Sequence, residues 1–307
     1  MTAAILCRGL TKRFGDILAV DGIDLEVKEK RVFGFLGPNG AGKTTTIRIL
    51  CGLIRPTAGT ACVAGVDVCQ KSIESRRSIG YLPENPVFYG WMTGEETLIF
   101  LGHLFGMRGD ELRDRVDELL RISGLEEARR RPVSTYSKGM QQRLGIAQAL
   151  INKPEVIFLD EPCSGLDPVG RVEVLRVIRE IGEESTVFMS SHILSDVERV
   201  SDEVAILDKG KILVHSSMDE LRRKYTQPIF RIVFDRKPSR FLSEVEGQAW
   251  FSGAEEEAPG SLKIFVTDFE SAARQLPVLA SMDDATLLSY QVSSPTLEDI
   301  FVRLVSS

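Results

Sequence analysis

The first thirty-six residues read as short apolar blocks, AILCRGL, IDLEV and RVFGFL, each predicting a strand. The third is apolar enough to be a buried central strand. A helix is expected from Lys43 to about Cys51, then a turn at RPTAGT and a strand at ACVAGV. IGYL, residues 79–82, is a further strand, running into a loop broken by Pro83 and Pro86. Residues 93–131 change character: Thr93 and Glu96 form a capping box ahead of TLIFLGHLFGM, and ELRDRVDELLRI has helical periodicity. From Ser137 the order is helix, strand VIFLD, helix, strand TVFMSS, helix, strand EVAIL, which predicts a parallel sheet with crossover helices.

The pattern changes again near Tyr225–Pro228. PIFRIVF, QAWF, SLKIFV and ATLLSYQV read as strands, with helices between them and GAEEEAPG as an acidic loop. This predicts a small α+β module in βαββαβ order. At its end Leu297, Ile300, Phe301 and Leu304 place one apolar stripe on a helix, with Thr296 as its N-cap. The expected organisation is a domain over 1–225, with a helical subdomain at about 84–135, and a small domain over 226–307.

Bulk properties exclude several classes. The 307 residues are 43% hydrophobic and 27% charged, an ordinary soluble composition, and the apolar runs are strand-sized rather than membrane-spanning. No signal-peptide pattern opens the chain. The five cysteines form no CxxC pair, so reduced buried thiols are expected rather than a disulfide or metal framework. The net charge is -6, most of it in residues 226–307, with 7 basic and 12 acidic side chains. Neither part is basic enough to suggest a nucleic-acid partner.

The chemistry is concentrated in three segments. Gly37-Pro38-Asn39-Gly40-Ala41-Gly42-Lys43-Thr44, followed by Thr45, fits GxxxxGK[ST] between an apolar strand and a helix. Its backbone N–H groups and helix dipole suit phosphate, Lys43 should reach the β- and γ-phosphates, and the Thr44 hydroxyl suits Mg²⁺. VIFLDEP adds Asp160 as the expected Mg²⁺ carboxylate and Glu161 to polarise the attacking water. STYSKGMQQRLGIAQAL offers Ser137 as an N-cap and Gly139 for close approach at a second helix start fit for anions. That second start is useful if it faces the nucleotide held by another copy.

The last segment resembles the LSGGQ signature of ABC-type ATPases. Ser137 and Gly139 match it, while Tyr136, Lys138 and Met140 depart from the commonest form. The resemblance covers about residues 3–225. It implies that Phe14 stacks on adenine, that Asp167 in SGLDP belongs to the loop crossing a dimer interface, and that His192 senses the γ-phosphate. Taken alone, Phe14 and His192 would read as an ordinary core aromatic and a structural histidine. Glu84 stands where most members carry a glutamine that reaches metal or water, so it is expected to act in catalysis and at the Mg²⁺ site. The resemblance further implies the P-loop ABC-ATPase fold, with an antiparallel β subdomain and an inserted helical subdomain. It also implies ATP hydrolysis by a homodimer on the cytoplasmic face of the cell membrane. YSKGMQQRLGIAQAL, SGLDPVGR, SSHILSDVERVSDEVAIL and SPTLEDIFVRL resemble the ATPase subunits of ABC-2-type exporters. These power a separate permease, here expected to dock through residues 84–110, where Phe88 and Trp91 are equally readable as core. A soluble ABC regulator of ribosomes or DNA, and an importer ATPase, remain the alternatives.

Overall fold

The computed structural model describes residues 3–224, 229–293 and 297–299. They fall into two compact units, Met1–Met218 and Asp219–Ser307, a division ahead of the boundary read at residue 225.

The chain opens with two long antiparallel strands, β1 (Ala3–Phe14) and β2 (Ile17–Lys28), longer than the apolar blocks that announced them. Polar residues such as Arg8, Lys12 and Asp24 extend the strands by alternating outward against Ile5, Cys7, Leu10 and Leu25. β3 (Val32–Leu36) is buried along its whole length, as an all-apolar strand with neighbours on both sides must be. α1 (Lys43–Leu50) follows, then β4 (Ala58–Val63), β5 (Val66–Asp67), a short helix the sequence did not announce, α2 (Ser72–Arg77), and β6 (Ile79–Leu82).

The helical insertion comprises α3 (Gly94–Leu104) and α4 (Gly109–Ile122). Both halves of the expected capping box form: the Glu96 amide donates to Thr93 Oγ1 at 3.1 Å, and the Thr93 amide to Glu96 Oε2 at 2.8 Å. α5 (Lys138–Leu150), β7 (Val156–Leu159), α6 (Pro168–Gly182), β8 (Thr186–Ser191), α7 (Leu194–Val200) and β9 (Glu203–Asp208) give the predicted alternation. β10 (Lys211–Ser217), unanticipated, turns back antiparallel on β9.

The central sheet runs β10-β9-β3-β8-β7-β6, parallel except at β10, and a second, antiparallel sheet runs β2-β1-β4-β5. Phe33, Phe35, Phe158 and Phe188 interlock in the central sheet, with Phe33 and Phe188 stacked at 5.2 Å. This is the mixed α/β architecture expected of an ABC-type ATPase. All five cysteines are free thiols.

In the second unit, α8 (Met218–Lys224) straddles the division, then come β11 (Ile229–Phe234), α9 (Phe241–Glu246), β12 (Phe251–Ala258), β13 (Ser261–Val266), α10 (Phe269–Ser281) and β14 (Leu287–Ser293). The sheet is antiparallel, in order β12-β13-β11-β14. From β11 to β14 the element order is the βαββαβ read from the pattern. The acidic stretch read as a loop, however, is the edge strand β12. Its charges find cations: Lys263 on β13 lies 2.8 Å from Glu257, and Lys237, in the loop after β11, lies 2.9 Å from Glu256. Of QAWF, read as a strand, only Phe251 belongs to β12, as its first residue. Leu297 and Asp299 are buried, and Asp299 pairs with Lys263 at 3.0 Å, so the start of the last segment seats on this unit's own sheet. Thr296, Ile300, Phe301 and Leu304, the other members of that expected helix, lie outside the described residues.

Candidate active site

The loop after β3 is built around backbone crowding. A Cβ on Gly37 would stand 2.3 Å from the Leu207 carbonyl oxygen, and one on Gly42, whose φ is 105°, would stand 2.3 Å from the Ala19 carbonyl oxygen. Neither position admits a side chain, so the loop can close only as glycine. Gly42 then leads into α1, whose N-terminus faces a cleft of about 410 Å³.

Asn39, Gly40, Gly42, Lys43, Thr44, Thr45, Glu84, Glu161 and His192 all line that cleft. Ala19, which the sequence did not single out, and Ser164, the first residue of SGLDP, read only as part of the dimer-interface loop, also line it. Nothing in the local pattern marks Ala19, whose contribution depends on β2 passing beside the loop. Gly37, Pro38 and Ala41 shape the loop without lining the cleft; the carbonyls of Gly37 and Pro38 accept from Lys43 Nζ at 2.6 and 3.2 Å.

Across the cleft, Thr44 Oγ1 donates to Asp160 Oδ1 at 3.0 Å. Ser190 Oγ, at the end of β8, donates to the same oxygen at 2.7 Å and accepts from the Glu161 amide at 2.9 Å. Ser190 was not singled out in the sequence; it reaches Asp160 only because β8 and β7 pair in the sheet. Asp160 is almost wholly buried, and burial pushes its carboxyl above the usual range, against the hydrogen bonds from Ser190 and Thr44 that pull it down. Ser190 thus fixes the carboxylate from the sheet side, and the oxygens of Thr44 and Asp160, side by side, fit a hard cation such as Mg²⁺.

Glu161 follows in a left-handed backbone conformation, φ 47°, uncommon for a residue with a side chain. That geometry sends its carboxylate back into the cleft. Oε2 accepts from His192 Nδ1 at 2.7 Å and from the His192 amide at 3.3 Å; Nδ1 is the donor, since a carboxylate only accepts. Oε1 lies 3.2 Å from Lys43 Nζ, as an ion pair rather than an aligned hydrogen bond. The Glu84 side chain is exposed and its carbonyl accepts from Gln142 Nε2 at 3.0 Å.

Ser137, Gly139 and Asp167 are not in this cleft. Ser137 caps α5, accepting from the Met140 amide at 3.2 Å, and Asp167 caps α6, accepting from the Gly170 amide at 2.7 Å. The two helix starts meet at glycines: a Cβ on Gly139 would lie 3.5 Å from Gly170 Cα. Tyr136, where the signature commonly has leucine, is a buried hook whose hydroxyl donates to the Ala128 carbonyl at 2.8 Å. Phe14 sits at the β1–β2 turn outside the cleft lining, 48% exposed, with Lys12 Nζ 4.8 Å from its ring centroid.

Trp91 is 77% exposed, so its reading as core does not hold. It forms a surface cluster with Tyr89 and Phe100, at centroid separations of 6.0 Å from Tyr89 to Trp91 and 6.4 Å from Tyr89 to Phe100. Among the described residues no helix is long and apolar enough to cross a membrane.

Comparison with known proteins agrees with this architecture. The ABC transporter family model matches residues 20–164, and the model of the C-terminal domain of ATP-binding proteins like DrrA1-3 matches residues 217–305. The bacitracin transport ATP-binding protein BcrA of Bacillus licheniformis is 36% identical, over 99% of this chain and 98% of its own. The daunorubicin/doxorubicin resistance ATP-binding protein DrrA of Streptomyces peucetius is 34% identical, over 99% and 92%. Among solved structures, cbiO1 of Clostridium perfringens, part of an ABC transporter complex, is 27% identical with a TM-score of 0.65, covering 74% of this chain and 95% of that one. A dimeric ATP-binding cassette in a post-hydrolysis state with ADP and Pi is 25% identical with a TM-score of 0.62, covering 70% and 98%. The chain belongs to the ABC transporter ATP-binding family. Within it, the chain aligns over nearly its full length with a bacitracin transport and a daunorubicin/doxorubicin resistance ATP-binding protein.

Proposed function

We propose that this chain hydrolyses ATP to power a separate transmembrane permease that exports its cargo. The observation that carries this reading is the gathering of Lys43, Thr44, Glu161 and His192 in one cleft, with the buried Asp160 bonded to Thr44 beside it. Lys43 and the α1 N-terminus bind the phosphates, displacing Lys43 from Glu161. Thr44 and Asp160 hold Mg²⁺, which when bound draws off the charge developing on the phosphate oxygens. Glu161 orients the attacking water and takes up its proton, with His192 fixing the carboxylate from the other side. Glu84 approaches the same space from the loop after β6, and Phe14 offers its exposed ring to the base.

Ser137, Gly139 and Asp167 lie on two abutting helix starts away from this cleft, which suits contact with the nucleotide of a second copy in a two-fold dimer. The Tyr89–Trp91–Phe100 cluster, inside the segment expected to dock, supplies the apolar anchor for the permease's cytoplasmic loops. That contact holds the chain on the cytoplasmic face of the membrane. The names of BcrA and DrrA favour an antibiotic-like cargo within the wider set of drugs, lipids, polysaccharides and ions.

The test is to ask whether an adjacent gene encodes a roughly six-helix hydrophobic protein, to co-express the chain with such a candidate permease, and to follow purification with a Mg²⁺-dependent ATPase assay on candidate cargoes. Co-purification and cargo-stimulated turnover are expected. ATPase activity with no membrane partner, and association with ribosomes instead, would overturn the exporter assignment; cargo uptake into cells would make it an importer.

A further inference from the structure

The sheet of the second unit ends in two edges of unlike chemistry. β12 presents Glu255, Glu256 and Glu257, charges of the kind that keep an edge from pairing with a further strand. β14, Leu-Leu-Ser-Tyr-Gln-Val-Ser, carries no charge and no proline. Among the described residues it pairs with β11 alone, so a row of its backbone N–H and C=O groups faces outward without a partner strand. Its side chains leave the same edge apolar and open: Leu288 is 63% exposed and Val292 50%. Phe269 on α10, also exposed, extends this rim, for it stacks at 5.5 Å on Phe230, the residue paired with Val292.

The strand is complementary to itself. Laid antiparallel on a second copy about a two-fold axis at Tyr290, it sets Leu288 against Val292, Ser289 against Gln291 and Leu287 against Ser293, each pair occurring twice. That register uses the whole strand and covers both exposed aliphatic side chains at once. A contact between β14 and β12 would instead be head-to-tail and repeat without closing. The glutamates of β12 also disfavour it, since β14 offers them no cation.

We propose that β14 is a contact between two copies of this chain, pairing edge to edge so that two four-stranded sheets become one continuous sheet. It rests on the reading above that ATP brings two copies together. In a pair already joined through nucleotide, the β14 ladder forms within one assembly rather than between free molecules, and so tightens the dimer although it is weak by itself.

The experiment is sedimentation of the purified full-length chain over a range of concentrations, with Mg²⁺ and a non-hydrolysable ATP analogue. Leu288→Lys sets an ammonium against Val292 of the second copy. It should weaken the dimer about tenfold, the scale of two lost apolar cross-strand pairs, and leave the melting temperature of the nucleotide-free monomer unchanged. Val292→Glu should do the same. Combined in one chain, the two set an ammonium against a carboxylate at both ends of the ladder, and the dimer should recover. Within one strand these positions lie about 13 Å apart, too far to neutralise each other. In the wild type, the β14 amides should exchange hydrogen about tenfold more slowly in the dimer than on dilution to monomer. That measurement needs no substitution and decides the matter if Leu288→Lys fails to fold. An undiminished dimer in folded Leu288→Lys, or no recovery in the combined variant, overturns the β14 contact and leaves the ATPase reading standing. Amides equally protected in monomer and dimer overturn it too, as does growth beyond the dimer, the mark of head-to-tail pairing. A wild type that stays monomeric overturns the contact, and if it also fails to hydrolyse Mg²⁺-ATP the ATPase reading falls with it.

Discussion

The Lys43 ammonium lies 3.2 Å from the Glu161 carboxylate, both side chains being almost completely buried. The two groups assigned to phosphate binding and to water activation thus neutralise each other across the cleft. On the proposed mechanism, a phosphate that takes Lys43 frees Glu161 to act on water. Glu161→Gln removes the carboxylate while retaining a hydrogen-bonding side chain. It should bind Mg²⁺-ATP at least as tightly as the wild type, accumulate as an ATP-bound dimer, and lose roughly 10²–10⁴-fold in turnover. Equilibrium nucleotide binding, gel filtration with ATP and steady-state hydrolysis check the three parts. Turnover at the wild-type rate would remove Glu161 from its role.

Asp160, the proposed metal carboxylate, also bears on stability. Its carboxyl is raised by burial, so between the ordinary aspartate value and the raised one the folded state binds more protons than the unfolded chain. Stability from this group then falls as pH rises through that window, and above it the buried charge is a standing cost. Asp160→Asn keeps an oxygen for Thr44 and Ser190 and removes the charge. Without Mg²⁺ it should melt higher than the wild type at pH 8, with the advantage shrinking as pH drops toward about 4. Mg²⁺-dependent hydrolysis should be lost. A variant that melts lower at pH 8 would show that burial is not the dominant influence on this carboxyl.

Trp91 projects into solvent. Trp91→Ser should change unfolding free energy by no more than about 0.5 kcal/mol, as expected of a surface site, yet sharply reduce recovery of the chain with its permease. Denaturant melts and affinity co-purification give the two readings. Undiminished recovery would place the membrane partner elsewhere.

Asp283 ties the second unit together at long range. Its carboxylate accepts from the amides of Ser239, Arg240, Phe241 and Ala285, at 3.2, 2.7, 2.9 and 3.0 Å. Partial burial, which would raise its pKa, is outweighed by these backbone donors, and the carboxyl is held down to about 2. The depressed value means stability that is complete above the ordinary aspartate range and lost as pH falls toward 2. Asp283→Ala should lower the stability of this unit by about 1 kcal/mol at neutral pH, the cost typical of a lost helix cap, with the difference closing in acid. Urea melts at pH 7 and pH 2.5 measure it; equal loss at both would mean that the charge is irrelevant.

How much of this could be read beforehand differs by kind of interaction. The phosphate loop, the Asp160–Glu161 pair and the capping box of Thr93 and Glu96 are local: residues a few positions apart, on elements whose periodicity is explicit, must meet if those elements form. The alternation of strands and helices fixed the fold class for the same reason, since a strand without polar positions needs covering on both faces. The acidic GAEEEA stretch misled because its composition resembles a loop. It is a strand because it pairs with β13, where Lys263 meets Glu257, and because Lys237, in the loop after β11, reaches Glu256, contacts that no local window contains.

The sequence by itself therefore determined the family and the ATPase class, because these rest on short spacings and on a loop whose backbone conformations glycine alone permits. Tertiary structure decided which distant groups complete the site. Ser190 bridges Asp160 and the Glu161 amide from thirty and twenty-nine positions away, and Gln142 holds Glu84 across fifty-eight. Trp91 lies outside the core although it is a large aromatic, and Asp283 caps a helix that begins more than forty residues earlier. Contacts at such separations follow from the order in which strands pair and helices stack, and chain closure over those distances leaves no periodic trace in the sequence.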